Sequence, residues 1–182
     1  MRLVIFAAVL GTIGIIAVGL LRPAPASQSA KMSSSAGTSV GSAVGDSAPD
    51  FTLKALDGRE VSLRAFRGRP LLLNFWYATC PGCLQETAVL QQFYARQQAA
   101  GRNFAMLGVN SVDDGTTAAS FVQRHSVTYP VVLDPNQQVE TLYNLNAAPT
   151  SYFIDRTGII RAIIIGPVDE TMLQQKLKQL DS

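Results

Sequence analysis

Metal-ligating side chains are scarce in this chain. Its 182 residues include two cysteines, Cys80 and Cys83, and one histidine, His125. A closed structural zinc site takes four nitrogen or sulfur ligands, which argues against one here. No metal or other cofactor is expected. Charge is scarce too: 15% of residues are charged and the net charge is +2. No run of Lys or Arg occurs, so there is no case for nucleic-acid binding. Residues 3–21 carry no charge at all, and no cysteine lies near them, which excludes an N-terminal lipid anchor.

What is present begins with that apolar run, "LVIFAAVLGTIGIIAVGLL". As a helix it spans roughly 28 Å, close to a bilayer hydrocarbon core. Its length exceeds the apolar part of a signal peptide, usually about 7–15 residues. The reading favoured is a transmembrane anchor over residues 1–22; the alternative is a signal segment cleaved after "APA", leaving the rest soluble in the periplasm. Either way the remainder is exported. Residues 23–47 are rich in Ser, Ala and Gly and read as a flexible linker. A globular domain then covers residues 48–182.

Within that domain "FTLKALDGREVSL" alternates around Asp57-Gly58, a hairpin signal. "RPLLLNFWY" is a continuous apolar run, as in a strand buried on both faces. A helix starts at Pro81 and ends near Gly101. Then follow a strand in "NFAMLGVN", a helix in "GTTAASFVQRH" and a short strand in "YPVVLD". A hairpin, "PTSYFID" with "IIRAIII", and a helix in "DETMLQQKLKQL" close the chain. The fold class is α/β, a mixed central sheet flanked by helices.

Cys80 and Cys83 lie in "NFWYATCPGC", where the buried strand gives way to the helix. Unpaired N–H groups and the helix dipole at that point favour a thiolate over a thiol. Pro81 is tolerated in the first turn, where no donor is required. Cys83 lies one turn deeper, so the pair can close and open with little backbone motion. Cys80 is the expected attacking thiol and Cys83 the resolving one. As a structural staple the loop is poor, since so small a ring stabilises by roughly 2 kcal/mol. Haem attachment would need His at position 84, which is Leu84. A redox-active dithiol is the reading that remains.

These motifs, with "GDSAPDFTLKALDGREVSL", "LLLNFWYATCPGCLQE" and "APTSYFIDRTGII", resemble the membrane-anchored thioredoxin-like oxidoreductases of the TlpA/ResA/CcmG type. The resemblance runs from about Ala48 to the C-terminus. It implies a thioredoxin-like fold and a thiol-disulfide oxidoreductase that reduces disulfides of exported proteins. It also implies recharging by a membrane thiol carrier of the CcdA/DsbD type. Cys80 and Cys83 match the redox pair. Pro149 matches the proline that is cis in thioredoxin folds, and Ala148 the residue whose backbone pairs with substrate. Trp76 matches an aromatic of the family, counted among the substrate-binding residues; core packing explains it equally well. Glu86, one turn after Cys83, matches a glutamate that moves protons at the site; a solvated helix residue is the even alternative. Asn74 stands where thioredoxin has a buried aspartate.

There are departures. Thr79 replaces the family's tryptophan before the first cysteine, and a smaller neighbour is expected to expose the disulfide. Thr150 replaces the acidic residue that CcmG-like proteins carry after the proline, which weakens a role in cytochrome c biogenesis. The alternative enzyme is a thiol peroxidase of the peroxiredoxin type. Its motif would need Pro at position 75 and Cys at position 82 around Thr79; Phe75 and Gly82 stand there. The non-enzymatic alternative is a membrane-tethered thioredoxin-fold scaffold. His125 is expected to be a surface residue.

Overall fold

A computed structural model of the chain describes residues 39–180. Seven strands form one mixed sheet in the order β2-β1-β5-β4-β3-β6-β7. β1 (Thr52–Ala55) and β2 (Glu60–Ser62) are the hairpin around Asp57-Gly58, where Gly58 adopts a positive φ that the turn requires. β3 (Leu71–Trp76) lies at the centre, parallel to β4 (Ala105–Asn110) and antiparallel to β6 (Thr150–Ile154). β5 (Val131–Leu133) extends the parallel part, and β7 (Ile160–Ile165) closes the far edge. The helices are α1 (Pro81–Ala99), α2 (Gly115–Arg124), α3 (Gln138–Leu142) and α4 (Glu170–Leu180).

The two-residue period of a strand sorts β3 between two cores. Leu72 and Trp76 point into the core that holds Leu90 and Phe93 of α1, Phe121 of α2 and Leu173 and Leu177 of α4. Leu71, Leu73 and Phe75 point the other way, toward Leu107, Val109, Tyr143 and Tyr152. There Tyr143 donates its hydroxyl to Pro49 O at 2.8 Å, and its ring meets those of Phe75 and Tyr152 edge-on or tilted. Asn74 shares the parity of Leu72 and Trp76, so this one polar residue of the strand is sent beneath α1.

Three sequence expectations are revised or left aside here. Residues 39–47, assigned to the linker from composition, pack on the domain. Ser47 bridges Val40 and Ile159, and Gly45 N–H donates to Ile160 O. The Asp46 carboxylate closes that turn, accepting from Ser39 Oγ and Ala43 N–H. Small residues suit this close backbone approach, which composition alone reads as flexibility. The expected membrane span and residues 23–38 lie outside the described residues. Among the described residues no helix is long and apolar enough to cross a membrane.

Candidate active site

Cys80 and Cys83 are joined by a disulfide, with Cα atoms 5.2 Å apart. Cys80 is the N-cap of α1: its backbone is extended (φ −80°, ψ 116°) and its sulfur accepts the Cys83 N–H at 3.0 Å. A sulfur at this position takes the place of the capping oxygen that Ser or Asp usually supplies, at the positive end of the helix dipole. Pro81 opens the helix where no N–H is needed.

The chain on either side of Cys80 is held. Tyr77 O accepts the Cys80 N–H at 3.2 Å, and Asp113 Oδ2 accepts the Ala78 N–H at 2.6 Å. Asp113 is itself gripped by Asn110, which donates to that oxygen and accepts the Asp113 N–H. The sequence reading missed Asp113. Its signal was masked because Asp113-Asp114 before a helix reads as a capping run, and Asp114 does cap α2 through Thr117 N–H.

Pro149 follows a cis peptide bond from Ala148 and packs against the turn between the cysteines. A methyl group at Gly82 would lie 3.0 Å from Cδ of Pro149 and 3.1 Å from Cγ of Pro167. The CxxC turn is therefore packed between two proline rings, and a side chain larger than glycine's would press on both. The backbone N–H and C=O of Ala148 have no partner among the described residues, so this strand end is open to pairing.

Cys80 and Cys83 are only 3% and 1% exposed. The expectation that Thr79 would uncover the disulfide fails. Thr79 does point to solvent, but the cover comes from residues distant in sequence, Ala148 and Val168 packing in the same cluster as the two cysteines. Trp76 is likewise corrected as a substrate contact: it is 4% exposed, with its ring tilted against Phe121 at 4.7 Å. Strand parity points it into the core, where its Nε1 has no hydrogen-bond partner among the described residues. His125 is exposed at the end of α2, its ring against Phe121.

Glu86 is buried, one turn along α1 from Cys83. Asn74 Nδ2 donates to its Oε1 at 2.8 Å and Val168 N–H to its Oε2 at 2.9 Å. Asn74 also donates to Ser151 Oγ. Burial pushes the carboxyl up to about 7, against the pull of the Val168 and Asn74 donors. The group therefore exchanges a proton near neutrality, and no cation among the described residues pairs with it.

Comparison with known proteins places this geometry. Residues 44–163 match the model of the AhpC/TSA family. The chain is 34% identical over 133 residues to the thiol-disulfide oxidoreductase ResA of Geobacillus thermodenitrificans, covering 73% of this chain and 75% of that one. A secreted thiol-disulfide isomerase of Corynebacterium glutamicum superposes with a TM-score of 0.67 at 26% identity, covering 74% of this chain and 85% of that one. StoA of Bacillus subtilis does so at 0.61 and 25%, covering 70% and 96%. With a dithiol at the start of α1 and these likenesses around it, the chain belongs to the AhpC/TSA family, among its thioredoxin-like thiol-disulfide oxidoreductases of the ResA/CcmG type.

Proposed function

We propose that the chain reduces disulfides of exported proteins, with Cys80 attacking, Cys83 resolving and Glu86 handling the proton. The observation that carries this reading is the juxtaposition at the head of α1. A helix-capping sulfur at Cys80 and a buried carboxyl raised to about 7 flank Cys83, one turn before and one turn after it on α1. In the forward reaction the Cys80 thiolate attacks a substrate disulfide and one substrate sulfur leaves as a thiolate. The Cys83 thiol gives up its proton, with Glu86 as the acceptor, and attacks Cys80 Sγ. The second substrate sulfur leaves, and the substrate has gained the two electrons that the dithiol lost. Ala148 offers the free backbone edge on which an extended substrate lies.

The domain acts from a membrane anchor in residues 3–21, on the outer side of the membrane. A membrane thiol carrier of the CcdA/DsbD type restores the dithiol by the reverse exchange. The reduction potential of the full chain tests the direction. A value near that of thioredoxin, about −270 mV, is expected for a reductant. A value near that of DsbA, about −120 mV, would make the protein an oxidant and reverse the proposal.

A further inference from the structure

Beside Ala148 the surface opens into a pocket of about 200 Å³. Tyr77, whose carbonyl holds the Cys80 N–H, and Ala148 are part of its lining. Ser111, Val112, Glu140 and Asn146 line it as well. Two of these residues lack partners. Ser111 is 4% exposed, yet its hydroxyl makes no hydrogen bond among the described residues. The Glu140 carboxylate makes no hydrogen bond or ion pair among them either. The hydroxyl and the half-buried carboxylate leave acceptors open on the pocket wall, where a ligand's N–H donors can pair with them.

The surrounding charge has one sign. The loops that reach the pocket, residues 110–114 and 134–148, contain Asp113, Asp114, Asp134 and Glu140 and no Lys or Arg. Between Asn103 and Asp155 the sequence has a single strong base, Arg124 at the far end of α2. Most of the acids are committed elsewhere. Asp134 accepts the N–H groups of Gln138, Val139 and Glu140, Asp113 holds Ala78, and Asp114 caps α2. Glu140 is left as the carboxylate of the pocket, in a field that repels anions.

We propose that this pocket receives a lysine or arginine side chain of the substrate, carried within two residues of the cysteine under attack. The substrate backbone pairs with Ala148, and the side chain on that face enters the pocket. Its cation meets Glu140, and its remaining N–H donors meet Ser111 Oγ and the Asn146 side chain. The pocket thus selects among disulfides by the sequence around them. This deepens the proposed function and rests on Cys80 exchanging with protein disulfides.

The test uses the reduced full-length chain and extended peptides whose single cysteine is disulfide-linked to 2-nitro-5-thiobenzoate. Lys, Gln or Glu is placed at each flanking position in turn. The best Lys peptide is expected to exceed its Gln counterpart about tenfold in kcat/KM, through KM, as one charge-assisted hydrogen bond would give. Glu is expected to fall below Gln. Glu140→Gln should erase the Lys preference and Glu140→Lys should invert it. Both variants should keep the wild-type rate with hydroxyethyl disulfide, which carries no charge. Equal rates for the Lys, Gln and Glu peptides, or a Lys preference that survives in Glu140→Gln, would overturn the proposal. No exchange with any disulfide, hydroxyethyl disulfide included, would instead overturn the oxidoreductase reading, and the pocket's role with it.

Discussion

Glu86 carries the clearest consequence at the scale of single residues, because its protonation is linked to folding. Its carboxyl holds a proton up to about pH 7 in the folded chain, against an ordinary value of 4.5. Between those values the folded state binds a proton that the unfolded state has released. Stability therefore falls as pH rises through this window and levels off above about 7. The loss is on the order of 3 kcal/mol. Glu86→Gln removes the titration while keeping the volume, and a turn of the Asn74 amide can present its oxygen to the new NH₂. Urea unfolding of the oxidised protein at pH 5 and pH 8 should show the wild type losing stability relative to the variant. Parallel pH profiles would mean that the carboxylate titrates as an exposed one does. Alkylation of the reduced protein across pH should shift in the same variant, as the proposed transfer of the Cys83 proton to Glu86 requires. The spacing from Cys83 to Glu86 is visible in the sequence. The burial is not, since it depends on Val168 arriving from 82 residues downstream.

Among the elements, the start of α1 is the most constrained. Gly82 lies between two proline rings that cannot rotate away, so a methyl group there must push one of them. Gly82→Ala should destabilise by about 1–3 kcal/mol, as overpacking does, and should slow exchange as well. Thermal unfolding beside the rate with hydroxyethyl disulfide measures both; an unchanged melting temperature would show that the clamp yields. This helix was legible in the sequence because its signals are local: a proline at its first position and Gly101 after its end. The helix α3 was not. It has five residues, and its first N–H groups are satisfied by Asp134, four residues before it, with Gln137 in a left-handed conformation between. The 3₁₀ turn Leu63–Phe66, whose cap Ser62 sits at the end of β2, was hidden in the same way by the hairpin signal beside it. Short elements held by neighbours leave little periodicity to read.

For the whole molecule, the alternation of strands and helices pointed to a mixed sheet, and the order of motifs pointed to the family. Strand adjacency was not readable in the same way, because β1 pairs with β5 across more than seventy residues of chain. Nor was the shielding of the cysteines, which is assembled from the loops before β6 and after β7. Trp76 shows the same limit: its match to a family aromatic left substrate contact and core packing equally open, and the strand's parity sends it inward. The chain enters the described domain beside Ile159 and Ile160, at the end of the sheet opposite the disulfide.

The central claim, that Cys80 attacks and Cys83 resolves, depends on how these levels combine, and trapping tests it most directly. Full-length Cys80→Ser and Cys83→Ser proteins are reduced, mixed with a disulfide-bonded protein substrate and separated without reductant. Cys83→Ser is expected to accumulate a mixed disulfide through Cys80 that reductant releases, whereas Cys80→Ser should form none and exchange nothing. A stable adduct on Cys83 in the Cys80→Ser protein, with none in the other, would contradict the assignment.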